Sequence, residues 1–594
     1  MSKLSRVLIA ACLSTVAVAP AAAQTASPTV AVASAADRQL QQLYTGYSAW
    51  VAKEYGYFED ANGETKPTDY LAHVDVAAQQ RRLQYERRLL SQLSAIPSAQ
   101  LSADERVNQS VLRTIIEADI ADLEFRDYEM PFNSDSSFWT YLNERDRLQS
   151  AEEYRRYLAR MADIPRYFRE QIVNMRAGLK RGFTVPRATL EGRDASIASF
   201  TEQDVEKNPF YGAFKDMPGQ IPEAEKAALR QQARQVITGT VVPAYNELLN
   251  FYRNDYLRGA RPTISAHDLP NGHAYYRAQI RKFTTVDLPP EEIHQLGLKE
   301  VTRIEAAMRQ TMADAGFKGT FEEFLKFLRT DPQFYAKTPD ELLGVSSYVA
   351  KRVDGKLGET FGLLPRRRFT IIPVPDALAP FYTSGRGGLE SCQMNTYNLP
   401  TRPLYQIPAL TLHECAPGHS FQAALSEERK ALPSFRRNIY FSGYGEGWGL
   451  YSEWLGYQMG IYRTPYERFG ALSFEMWRAA RLVIDTGIHR YGWSRDKAIA
   501  YLTDHTALSQ HDVEIEVDRY ISWPGQALAY KLGEMTIRRL RSEAEAQLGE
   551  KFDQRSFHDA ILAMGAVPLP VLEQEMRRYI AEQKAGKIAA KPAP

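Results

Sequence analysis

Two histidines and a glutamate fall within seven residues of the run Thr411-Leu412-His413-Glu414-Cys415-Ala416-Pro417-Gly418-His419-Ser420-Phe421-Gln422. Imidazole nitrogens and a carboxylate are what a zinc hydrolase gathers, ligands for the ion and a base for the attacking water. In the common pattern the histidines stand four apart, which puts both rings on one helical face. Here they stand six apart, a rotation of about 600° on an ideal helix, so an unbroken helix would leave His419 far from His413. The inserted pair is Pro417-Gly418. Proline removes a helical hydrogen bond and glycine accepts unusual dihedrals, so a bulge at this pair would return His419 to the ion.

A third ligand is expected from a following helix, and Gly443-Tyr444-Gly445-Glu446-Gly447-Trp448-Gly449-Leu450-Tyr451-Ser452-Glu453-Trp454 supplies two carboxylates seven positions apart. That spacing is two helical turns, so Glu446 and Glu453 share a face. An unpaired carboxylate is expensive to bury among Trp, Tyr and Leu, and a cation would account for both. Glu446 is therefore assigned, with His413 and His419, as a ligand of one zinc per chain. Glu453 is assigned to orienting a ligating histidine. Glu414 is the expected general base, taking a proton from the zinc-bound water and passing it to the leaving amine. The oxyanion needs a further donor. Candidates lie between Asp518 and Lys531: Tyr520 or Tyr530 as the phenolic donor, Arg519 or Lys531 to hold a substrate carboxylate, and Gln526 as another substrate contact. His505 and His511 are weaker candidates.

The elements that must position these residues are mostly helices. The chain has 594 residues, 44% of them apolar and 24% charged, which is ordinary globular composition. Its 73 basic residues nearly balance its 72 acidic ones, so no bulk field favours nucleic acid or an anionic membrane. The start, with Lys3 and Arg6 before an apolar run and Ala21-Ala22-Ala23, has the form of a secretory signal peptide over 1–23. The apolar run continues well past Cys12, which disfavours a lipoprotein box at Ile9-Ala10-Ala11-Cys12. No later stretch reaches the roughly 18 apolar residues of a spanning helix. Periplasmic or secreted placement is expected. Residues 24–35 are small and polar, a flexible linker. Residues 36–583 are expected to form one helical catalytic domain, with a helical first half over 36–270 and a catalytic half over 271–583. Leu83 to Leu93 and Tyr154 to Met175 repeat large side chains at three- and four-residue intervals, and Asp287 before Pro289-Pro290 reads as the cap of a helix towards Met312. Phe369 to Val374 and Ser391 to Tyr397 are β-prone, with a turn at Gly385-Arg386-Gly387-Gly388, so a small sheet precedes the histidines. Residues 584–594 read as a disordered tail. Cys392 and Cys415 flank the site; a disulfide and two buried thiols are both open.

The combination HExxPGH at His413 to His419, EGWxLYxE at Glu446 to Glu453 and DRYxxWPGQAxxYKxG at Asp518 to Gly533 resembles the bacterial domain-of-unknown-function 885 (DUF885) family. Tyr275-Tyr276 and Glu291 to Leu298 extend the resemblance over most of the mature chain. The resemblance implies a mainly α fold with a deep cleft and a small β-sheet next to the zinc-binding helix. It also implies a zinc peptidase distantly similar to angiotensin-converting enzyme, thimet oligopeptidase and the Taq-type carboxypeptidases. Those relatives bind substrate backbone along an edge strand, a role that falls by analogy to Met394-Asn395-Thr396-Tyr397, with Asn395 as a substrate contact. The expectation is an exported zinc-dependent peptidase acting on short peptides, of carboxypeptidase or peptidyl-dipeptidase type. The rivals are a zinc amidase or esterase on a non-peptide substrate and a non-catalytic helical binding or scaffold protein.

Overall fold

The computed structural model describes residues 34–586, apart from 61–64, 146, 377–378, 383 and 438. The signal segment, Cys12 and the last residues of the tail lie outside the described residues. The chain is mainly α, with one two-stranded and one three-stranded sheet among the described residues. Ser34 caps the first helix, Ala35–Glu54, in a capping box with Asp37, so helix replaces linker slightly earlier than composition indicates.

Local signals explain the long helices of the first half. Ser150 and Glu153 form a capping box at the start of Ala151–Arg181, and Gly182 ends that helix at φ 75°. Its stripe of Tyr154, Tyr157, Met161, Ile164, Phe168, Ile172 and Met175 is buried against Tyr245, Tyr252 and Tyr256. One cap differs from expectation. The helix Pro290–Asp314 has Pro289 at its N-cap and no side-chain cap, while Asp287 pairs instead with Arg277 and Arg281.

The helix Pro465–Tyr491 joins the halves. Thr464 and Glu467 cap its start, and it is buried almost continuously from Phe469 to His489. A helix buried on every side needs neighbours on every side. Trp477 belongs to the core beneath the histidines, Leu482 to the core of the first half, and Met476 and Val483 to a third core with Phe324 and Phe469. The helix Pro290–Asp314 lies along it, and Ser442–Gln458 packs on Ala529–Leu548.

Strands β1 (Tyr57–Glu59) and β2 (Thr65–Pro67) pair antiparallel far from the histidines in sequence. The second sheet consists of β3 (Thr370–Pro373), β4 (Gly385–Gly387) and β5 (Ser391–Met394), in the order β3-β5-β4. Strand β5 runs parallel to β3 and antiparallel to β4, with Gly387 opposite Cys392. Two expectations are corrected here. Gly385 to Gly387 is a strand rather than a turn, and it lies at the edge of the sheet, whereas the segment containing Met394 continues the central strand. No helix among the described residues is long and apolar enough to cross a membrane.

Candidate metal centre

The helix Ile407–Glu414 carries His413 and Glu414 in its last turn, and a new helix, His419–Glu427, starts with His419. The expected bulge is a full break. Cys415 leaves helical geometry at φ −97°, ψ −97°, Ala416–Pro417 is cis, and Gly418 takes φ −75°, ψ −133°. Phe421 N–H donates to the Cys415 carbonyl at 3.1 Å, and Trp448 Nε1 donates to the Pro417 carbonyl at 2.8 Å. The position of Gly418 admits no side chain, since a Cβ there would lie 1.8 Å from the His413 carbonyl oxygen. Cys415 is joined to Cys392 of β5 in a disulfide, with both residues fully buried. The break is thereby tied to the sheet.

Glu446 and Glu453 project from one face of Ser442–Gln458 and grip His413 from its two nitrogens. Glu453 Oε1 lies 2.7 Å from Nδ1, and Glu446 Oε2 lies 3.5 Å from Nε2. The same Glu446 oxygen is 3.2 Å from His419 Nε2. One donor atom from each of His413, His419 and Glu446 lies within 4.8 Å of the others. Zinc bonds of about 2.0–2.2 Å in a tetrahedral site put neighbouring ligand atoms roughly 3.3–3.5 Å apart, so two of the separations already have the length that such an ion sets. Burial alone would depress the His413 imidazole, yet hydrogen bonds to Glu446 and Glu453 lift its pKa to about 9. Burial alone would raise Glu446, yet His419 and His413 hold it well below the usual carboxylate range.

Glu414 faces the same space, its Oε2 accepting from the Gly387 N–H of edge strand β4 at 2.6 Å. A cavity of about 700 Å³ opens over these groups. Its lining includes Gly385, Arg386, Gly387, Tyr440, Arg478, Arg481, Arg519, Trp523, Gln526 and Tyr530. Arg519 Nη2 donates to the Tyr530 hydroxyl at 3.0 Å and to Gln526 Oε1 at 2.9 Å. A guanidinium only donates, so the Tyr530 oxygen accepts and its own proton is free to point elsewhere.

Three expected site residues do not reach the cavity. Tyr520 is 1% exposed, and its oxygen accepts from Trp477 Nε1 at 2.9 Å and Arg481 Nε at 3.0 Å; it braces the wall from behind. Lys531 is wholly buried between Glu475, Glu534 and Glu300, at 2.8, 2.9 and 3.1 Å, so it holds helices together instead of a substrate. Asn395 donates to the carbonyls of Ala379 and Tyr382 and accepts from Tyr397 N–H, which fixes a loop beside the sheet. The edge strand open to the cavity is β4. His505 bonds the Tyr501 carbonyl within its own helix, and His511 is exposed; neither lines the cavity.

Residues with no signal in the sequence are also present at the site. Tyr440 donates to Glu446 Oε1 at 2.7 Å, and its position six residues before Glu446 matches no helical spacing because it precedes the helix. Arg478 and Arg481, on the buried Pro465–Tyr491 helix, lie outside every motif that the sequence singles out.

Fold and site together define a helical protein with a buried histidine–carboxylate cluster at a helix break, opening on a cavity. The chain belongs to the family described as "Bacterial protein of unknown function (DUF885)", whose model matches residues 51–576. It is similar to a crystal structure from Colwellia psychrerythraea titled as that of a "putative lipoprotein", with 27% identity, a TM-score of 0.84, and 92% of this chain and 99% of that chain covered. A structure of the same description from Shewanella oneidensis, "of unknown function", is 17% identical with a TM-score of 0.67, covering 91% and 98% of the two chains; that likeness concerns the fold alone. No curated protein matches the chain.

Proposed function

We propose that the protein is an exported zinc peptidase acting on short peptides. The observation that carries this reading is the convergence of His413, His419 and Glu446 to within 4.8 Å beside a carboxylate, Glu414, that a strand N–H holds towards the same cavity. His413, His419 and Glu446 would hold the ion, and two imidazoles with one carboxylate are a ligand set that zinc accepts. Bound there, zinc supplies Lewis acidity to a water and to the acyl oxygen.

The remaining work falls to the chain's own groups. Glu453 bonds His413 Nδ1 and so presents Nε2 to the centre. Glu414 takes a proton from the attacking water and returns it to the leaving amine. Tyr530, whose oxygen is occupied by Arg519, donates its proton to the oxygen on which charge develops. Edge strand β4 offers its backbone to an extended substrate. Export is supported by the signal-like first residues, by a disulfide between buried cysteines and by the lipoprotein description of the similar Colwellia psychrerythraea structure.

Elemental mass spectrometry of the purified mature protein tests the centre, alongside hydrolysis of a short-peptide panel. About one zinc per chain is expected in the parent and in Glu414→Gln, and none in His413→Ala. Hydrolysis should fall by about 10²–10⁴ in Glu414→Gln. A protein that takes up no metal even when zinc is supplied would remove the hydrolase mechanism.

A further inference from the structure

One wall of the cavity carries more positive charge than its ion pairs answer. Arg478, Arg481 and Arg519 surround the Tyr530 ring, their Cζ atoms 6.0, 4.3 and 5.9 Å from its centroid, and all three line the cavity. Two buried carboxylates face them. Glu516 lies 2.8 Å from Arg481 and 3.6 Å from Arg519. Glu453 lies 3.4 Å from Arg478 but is already bonded to His413. Of the other acids lining the cavity, Glu414 and Glu446 are engaged by Gly387 and the histidines, and Asp135 and Glu427 are exposed. Nε of Arg478, Nη1 of Arg481 and Nε of Arg519 are buried without a hydrogen-bond partner among the described residues. Lys531 shows the contrast, a buried cation among three carboxylates and away from the cavity.

A surplus guanidinium in a dry wall is costly until an anion joins it, and a carboxylate matches the guanidinium fork. Arg478 and Arg481 are 3% and 1% exposed, so they act through charge. Arg519, with its side chain 16% exposed, is the one an anion can touch. The reach is also defined. The His413 and Tyr530 rings are 6.4 Å apart, and Tyr530 contacts all three arginines. An extended peptide covers ~3.3–3.6 Å per residue, so an anion on Arg519 belongs about one to three residues from a carbonyl beside the histidines.

We propose that this wall is a carboxylate subsite, in which Arg519 binds the free C-terminal carboxylate of a short peptide and Arg481 and Arg478 supply the charge behind it. The inference deepens the peptidase reading and rests on it for the nature of the ligand. An acidic side chain offers the same chemistry, and the test separates the two sources.

Zinc-loaded Glu414→Gln protein is titrated calorimetrically with trialanine, trialanine amide and alanyl-glutamyl-alanine amide. Trialanine should bind at least about tenfold more tightly than its amide, the size of one charge-assisted hydrogen bond. Adding Arg519→Gln should erase that difference with the zinc content retained, and Arg519→Lys should restore part of it. Tight binding of the glutamyl amide, lost in Arg519→Gln, would keep the subsite and make a side chain its ligand. Equal binding of trialanine and its amide, undetectable binding of both, or a preference that survives Arg519→Gln would overturn the proposal. Hydrolysis by the parent protein is followed separately. Carboxylate-dependent binding without any cleavage leaves the subsite standing and removes the peptidase.

Discussion

Substituting Gly449 by alanine would strike the candidate metal centre from the side. A Cβ at this position lies 2.7 Å from Cε1 and 2.9 Å from Nε2 of His413. Carbon atoms rest at about 3.5–4.0 Å, so ring and methyl must part by roughly 1 Å. The ring is buried and bonded to Glu453 at 2.7 Å, and the methyl is fixed to a helix backbone. The ring therefore turns and Nε2 leaves its place beside Glu446. Two terms oppose each other in folding: overpacking costs about 1–3 kcal/mol, while alanine is better than glycine inside a helix by about 0.5–1 kcal/mol. The net loss of stability is at most about 2.5 kcal/mol. Metal affinity has no such compensation, and a ligand pushed off its orienting partner typically loses about 10–100-fold. Chelator competition measures the zinc affinity of Gly449→Ala, and thermal unfolding measures its stability. A 10–100-fold loss with a melting temperature lowered by a few degrees is expected. Unchanged zinc affinity would refute the assignment of His413 as a ligand.

Two further substitutions test the buried charges. Lys531→Met strips Glu475 and Glu534 of a shared cation. It should cost about 3–5 kcal/mol in urea unfolding, the usual effect of breaking a buried pair, with zinc content retained; intact stability with a raised KM for peptides would return Lys531 to a substrate role. Asp485, which accepts from Tyr276 Oη and Gly525 N–H, is pushed up to about 7 by burial against those bonds. Its native pKa lies above that of an unfolded aspartate, about 3.9. The native state therefore binds this proton more tightly, and the contribution is complete below about pH 4 and lost as pH rises through 7. Unfolding midpoints of Asp485→Asn should gain on the parent between about pH 4 and pH 7, and parallel profiles would contradict the assignment.

The shared face of Glu446 and Glu453 was legible because it depends on chain geometry alone: the two are two turns apart on one helix. The form of the Pro417-Gly418 insertion was not, since both a bulge and a break bring His419 round. The break is held by partners remote in sequence, Trp448 and Cys392. Strand β4 was missed for a physical reason. Gly385-Arg386-Gly387 has no β-forming side chain, yet a Cβ at Gly387 would lie 2.1 Å from the Glu414 carbonyl oxygen, so the backbone approach that makes it an edge strand also removes its signature. Tyr520 and Tyr530 are equal on paper, and burial separates them. Arg478 and Arg481 have the look of solvated charges because helical periodicity cannot report that every face of Pro465–Tyr491 is covered. The helices of the first half, by contrast, announce their caps and apolar stripes directly.

The helix Pro465–Tyr491 also fixes one wall of the cavity. It gives Trp477, Arg478 and Arg481 to the wall while its other faces are rooted in three separate hydrophobic cores. Jaws that opened along this line would have to shear all three cores at once, or bend an unbroken rod of 27 residues. The wall beside the cavity therefore behaves as the fixed side of a keyway and not as a jaw, and for the peptidase proposed above the expected substrate is a loose chain end and not a folded protein.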